Sequence, residues 1–140
     1  MQNKFEIILE FIKDLSVETP DAETLIFVKK NISSYQMNID ITSIPLKNKA
    51  IEVNTKIIFK DNSNNNKKSF FEIVYATVIK LDDNIKDKSE IEKIILCDVQ
   101  LKIYPKLEKI FLNLLKDSGF PGIKFEKKVD FEKLYNDRIS

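Results

Sequence analysis

The 140-residue sequence has no histidine, no tryptophan, one cysteine, two glycines and a single arginine, Arg138. Each shortage excludes something. Without histidine there is no His-ligated metal site and no Ser-His or Cys-His pair. Cys97 alone cannot close an intramolecular disulfide, and its neighbours Ile94, Ile95, Leu96 and Val99 mark it as a small buried hydrophobe. Gly119 and Gly122 cannot supply a phosphate loop or a dinucleotide fingerprint. The net charge of +1 lacks the basic excess of a dedicated nucleic-acid binder. No window reaches the ~18 apolar residues of a membrane span, and the start of the chain lacks a basic segment followed by an apolar run. These absences predict a soluble, reduced, cytoplasmic protein with no cofactor, nucleic-acid partner or membrane insertion.

Charged residues make up 32% and hydrophobic residues 43%, a globular balance that predicts one domain over residues 1–140. Strand candidates come first. Residues 4–14 alternate, with Phe5, Ile7, Leu9 and Phe11 on one face and Glu6, Ile8, Glu10 and Ile12 on the other. A strand apolar on both faces is covered twice, by its own domain and by a neighbour. Residues 15–34 have no clean period and read as a connecting loop holding the apolar patch Leu25, Ile26, Phe27 and Val28. Tyr35, Met37, Ile39 and Ile41 give the clearest alternation, ended by Pro45. Residues 49–60 and 69–81 repeat it around an Asp-Asn-Ser-Lys turn cluster, which predicts an antiparallel sheet.

The period then lengthens. Ser89 to Glu92 reads as a capping box, and Ile91, Ile94, Ile95, Val99, Ile103, Leu107, Ile110, Phe111, Leu114 and Leu115 follow at helical spacing. Pro105 predicts a kink near Leu101 to Tyr104, Gly119 and Pro121 end the helix, and Asp130 caps a short last one. The fold class expected is α+β: a four-stranded antiparallel sheet with a long kinked helix and a short C-terminal helix on one face.

Nothing catalytic emerges. Asp82 and Asp83 read as solvated turn residues, and lysines 47, 49, 56, 60, 67 and 68 as a basic hairpin diluted by acids. More unusual are the apolar residues outside the strands: Leu25, Ile26 and Phe27, then Phe120, Ile123 and Phe125. Apolar loops either settle on the core or line a groove.

Lys13-Asp-Leu-Ser-Val-Glu-Thr-Pro20, Gln36-Met-Asn-Ile-Asp40, Phe70-Phe-Glu-Ile-Val-Tyr-Ala76, Tyr104-Pro105, Gly119-Phe-Pro121 and Val129-Asp-Phe131 with Leu134-Tyr135 occur in an order that resembles the SecB family. The resemblance implies an ATP-independent holdase: a homotetramer, built as a dimer of dimers, that binds unfolded precursor proteins and delivers them to the SecA motor. Long helices would lie between dimers, and first strands would join sheets within one. It also implies a client groove at Leu25, Ile26, Phe27, Tyr35, Phe120, Phe125 and Tyr135, and SecA docking at Asp14, Glu18, Phe70 and Glu72. Several features depart from the family. The usual loop tryptophan is missing, Thr77 stands at a usual glycine, and the marked acidity is absent. The SecA-contacting acidic tail has no counterpart: either that contact is absent or the tail lies outside this sequence. Other readings are a SecB-like chaperone dedicated to one client such as an antitoxin, and a small-ligand or RNA-binding module.

Overall fold

A computed structural model describes residues 4–125 and 128–139, so the reading of the first three residues lies outside it. The elements are β1 (Phe5–Glu18), α1 (Ala22–Lys30), β2 (Tyr35–Pro45), β3 (Ala50–Asp61), β4 (Phe70–Leu81), α2 (Lys88–Lys93), a π-helical turn (Ile94–Asp98), α3 (Val99–Asp117) and α4 (Phe131–Ile139). The strands form one antiparallel sheet in the order β1-β4-β3-β2. The expected α+β class is the observed one.

The register sorts side chains into two faces, because directly paired antiparallel residues point the same way. One face carries Met37, Phe59 and Phe71, then Ile39, Ile57 and Ile73, then Ile41, Thr55 and Tyr75, in successive rows. The helices lie over this side: Phe111 meets Phe59 edge-on at 6.4 Å, and Gln100 accepts a hydrogen bond from Thr55 at 3.0 Å. The opposite, open face carries Val74, Lys56 and Asp40 in one row and Ala76, Asn54 and Thr42 in the next. The core lies between sheet and helices, with Phe71, Tyr75, Ile57, Ile73, Phe111 and Leu107 essentially inaccessible.

Three expectations are corrected. Strand β1 does not alternate simply, because its register against β4 shifts between Ile7 and Leu9 and again between Ile12 and Asp14. Each bulge adds a residue and turns the following side chains over. Phe5 and Ile7 therefore face the helices, Leu9 and Phe11 the open side, and Ile12, Leu15 and Val17 the helix side again.

The segment 15–34 is not a loop. It completes β1 and then forms α1, whose Asp21 side chain accepts the Thr24 N–H at 2.8 Å; Glu23 sits in its first turn and Lys29 and Lys30 in its last. Those charges complement the helix dipole.

The cap before the long helix is Asp87, two residues upstream of Ser89, whose N–H it accepts. Downstream of that cap the helix leaves α geometry at Ile94–Asp98, ahead of Pro105. Gln100 braces this wider turn, donating to the Ile95 carbonyl at 3.3 Å while holding Thr55 on the sheet.

Other signals hold. Gly119, at φ 103°, ends α3 in a Schellman motif: Phe120 N–H bonds to the Leu115 carbonyl at 2.8 Å and Gly119 N–H to that of Lys116 at 3.2 Å. Asp130 caps α4 by accepting the Lys133 N–H at 3.0 Å.

The β3–β4 loop is organised by Asp61. Hydrogen bonds from Ser63, and then from Asn65, hold its carboxyl down to about 2. A carboxyl depressed in the folded state stabilises fully above its unfolded value and loses that contribution as pH falls toward the folded one. We expect the urea midpoint to carry an acid-side loss between about pH 4 and pH 2 that Asp61→Asn flattens. Parallel acid limbs for both proteins would assign the loss to other groups.

Candidate binding surfaces

The sequence-predicted docking residues gather on one surface. Asp14, on β1, is paired with Val74; two rows on, Glu18 pairs directly with Phe70, and Glu72 lies between them opposite Ser16. All four point to the open face along β1 and β4, with Glu72 3.8 Å from Lys56. Farther along this face Lys13 crosses β4 to reach Glu52 on β3 at 2.5 Å. The Lys13 ammonium, and then the Asn54 amide, hold the Glu52 carboxyl below its usual range.

The residues predicted for the groove divide. Tyr35 and Phe120 are buried, Phe27 and Phe125 half-buried, and Ile26 is exposed at 57%. An aromatic chain links most of this end of the sheet: Phe59 meets Tyr35 at 5.4 Å, Phe125 at 6.0 Å and Phe71 at 6.1 Å, and Phe71 meets Phe120 at 5.5 Å. Leu25 closes over Gly119 so tightly that a Cβ there would stand 3.1 Å from its side chain. Leu25, Phe120, Ile123 and Phe125 thus settle on the core, while Ile26 stays in solvent. The Tyr35 hydroxyl accepts the Ser69 N–H at 2.9 Å, and burial pushes its pKa up.

Tyr135 lies apart from these, on α4 above β2. There Ile39, Ile41, Leu96, Leu134 and Tyr135 border a crevice of about 260 Å³, and Arg138 reaches the Ile41 carbonyl at 3.1 Å.

Apolar exposure is heaviest where no site was predicted. On β1, Ile8, Leu9, Phe11, Ile12, Leu15 and Val17 are all exposed, as are Ile44 and Leu46 beyond the end of the crevice and Leu101 on α3. The two-faced apolar character of β1 signalled part of this; nothing in the helical period singled out Leu101. At the inner rim of β1 the Tyr75 hydroxyl donates to Glu10 at 2.9 Å, and its hydrogen bond raises the Lys106 pKa. Among the described residues no group of three or more His, Cys, Asp or Glu could hold a metal ion, and no helix is long and apolar enough to cross a membrane.

The family described as preprotein translocase subunit SecB matches residues 1–140. The chain is 58% identical to the putative protein-export protein SecB of Pelagibacter ubique, over the full length of both. It is 25% identical to the protein-export protein SecB of Rhodospirillum rubrum, covering 93% of this chain and 79% of that protein. Its fold matches the Mycobacterium tuberculosis SecB-like chaperone solved with a ChAD peptide from an antitoxin, with a TM-score of 0.64 and 10% identity over 90% of this chain and 91% of that one. The match along the whole sequence settles the family, which is one of chaperones and not of enzymes: this chain belongs to the SecB family.

Proposed function

We propose that this protein is an ATP-independent export chaperone of the cytoplasm. It acts as a single-domain subunit of a tetramer, holds unfolded precursors on its apolar surface and passes them to SecA. The observation that carries the reading is the amount of large apolar side chain left in solvent on β1, α1, α3 and α4, in a chain with 32% charged residues. Monomeric soluble proteins keep such surface scattered, and concentrating it on an edge strand invites a partner. Unfolded segments offer apolar side chains without fixed sequence, and non-directional burial accepts many of them. At about 25 cal/mol per Å² each contact is modest, so tight holding needs a segment wrapped over several subunits.

The test is aggregation suppression of a chemically unfolded client, with the mass of the free protein from light scattering. Suppression, together with a mass near four times the 16.4 kDa chain, is expected. A monomeric mass without suppression would sink the proposal.

Docking on SecA is read from Asp14, Glu18, Phe70 and Glu72, which share the open face. Asp14→Lys combined with Glu18→Lys is expected to weaken SecA binding at least tenfold, about 1.4 kcal/mol, and to leave client holding intact. Loss of both activities together would make this stretch structural. The net charge of +1, unlike the family's usual acidity, favours one second reading: a dedicated chaperone for a single client, with no role in export. Its signature would be client holding with no SecA binding by the unaltered protein.

A further inference from the structure

We propose that the open sheet face carries a recognition site for one arginine side chain of a docked protein partner, centred on Asn54 between β2 and β3. The proposal rests on the reading that a protein docks on this face. A depression of about 260 Å³ there is lined by Asp14, Asp40, Thr42 and Asn54 and by Lys13 and Lys56. That volume suits a side chain better than a whole small-molecule ligand.

Asn54 Oδ1 is the decisive atom. The residue is only 8% exposed, and its Nδ2 donates to Glu52 at 2.9 Å. This bond fixes the amide orientation, since the reverse would set oxygen against carboxylate. Oδ1 is then buried without a donor among the described residues. Buried acceptors are normally satisfied, so this one lacks a donor that a ligand would bring.

Charge selects that donor. Lys13 is engaged by Glu52 at 2.5 Å, and Lys56, directly across from Asp40, stands 3.8 Å from Glu72, while Asp14 and Asp40 form no ion pair within 4 Å among the described residues. What remains open to a ligand is therefore acceptors, with a surplus of negative charge. Asp14 and Asp40 share a row but stand three strands apart, about 14 Å, too far to grip one metal ion.

Geometry selects the cation. Thr42 lies directly across from Asn54, and Asp40 lies two residues further along β2, about 7 Å away. A planar guanidinium with five donors serves Asn54 Oδ1, Thr42 Oγ1 and the Asp40 carboxylate together, where a compact ammonium does not span them. The chain's own arginine, Arg138, is occupied with the Ile41 carbonyl, so the arginine comes from the partner.

The test titrates the isotope-labelled full chain with N-acetyl-arginine N-methylamide and with its lysine and citrulline counterparts. It follows the Asn54 side-chain amide and the Thr42 backbone amide by NMR. Arginine is expected to give saturable shifts, with lysine and citrulline at least fivefold weaker. Asp40→Asn and Thr42→Val should each weaken the arginine response at least threefold while the rest of the spectrum stays folded. Absence of shifts at Asn54 and Thr42 overturns the site, and an equal response to lysine overturns the fork. Neither result touches SecA docking, which the Asp14 and Glu18 pair tests separately. Retained arginine binding in an unaltered protein that does not bind SecA would overturn the docking reading alone.

Discussion

Replacing Ile12 and Leu15 with lysine is expected to reduce the proposed assembly of four chains to one or two at micromolar concentration, with the fold of each chain kept. Both residues face the helix side of β1, yet they are 45% and 48% exposed in the single chain, beside Val17 at 38%. Strand β1 is also an edge strand of 14 residues, with one row of backbone donors and acceptors unpaired by the sheet. A long apolar edge is an aggregation hazard unless something covers it, and a second copy is the economical cover. Full burial of an Ile or Leu side chain contributes about 1.5–3 kcal/mol, and these are already half covered, so each adds up to about 1.5 kcal/mol on assembly. In a two-fold interface each residue counts twice, and each lysine additionally brings a charge to be desolvated. Light scattering reads the mass and circular dichroism the fold. An unchanged mass would place the contacts between subunits elsewhere and remove β1 from the proposed assembly.

Phe71→Ala is expected to destabilise the fold by about 3–5 kcal/mol. Phe71 is fully buried at the centre of the aromatic chain, 6.1 Å from Phe59 and edge-on to Phe120 at 5.5 Å and 86°. Truncation removes the transfer energy of the ring and leaves a cavity that strands on both sides cannot close, since Phe71 is paired with Val17 and with Phe59. It also frees Phe120, which holds the segment after α3 against the sheet, so Leu25 loses its backing at Gly119. Urea unfolding at fixed protomer concentration measures the loss. A double-mutant cycle with Phe120→Ala should return a coupling of about 0.5–1.5 kcal/mol for the ring pair. A loss under about 1 kcal/mol would mean that the aromatic chain is not part of the core.

Much of this architecture was legible in residue order. Tyr35 to Ile41 alternated as a strand with one buried face, and the register keeps Tyr35, Met37, Ile39 and Ile41 on the helix side. Gly119 and Asp130 were read as helix-end signals and act as such, because capping is decided by a few neighbouring backbone groups. Helix α1 was missed although Asp21, Glu23, Lys29 and Lys30 spelled out its charges. Only Thr24 and Val28 of it are buried, so its apolar stripe is too thin to show against Leu25, Ile26 and Phe27. The four residues proposed for docking share one surface, as the resemblance implies; Asn54 and Thr42 give no signal in the sequence, because an ordinary strand asparagine matters only once its oxygen is stranded.

The sequence by itself determined the four strands in their order, the long helix and short last helix after them, the family and the absence of histidine chemistry, since local periodicity, capping and composition need no partner across the fold. Only the tertiary structure decided which way β1 points. Its bulges are set by hydrogen bonds to β4, some 60 residues away in the chain, and a one-residue shift sends every following side chain to the other face. That same pairing chose which apolar residues became core and which stayed in solvent. Tyr35 and Phe120, which the resemblance assigns to a client groove, are buried, while Ile12 and Leu15 lie open beyond the helices. Burial depends on what the rest of the chain lays over a residue, and no local pattern carries that information.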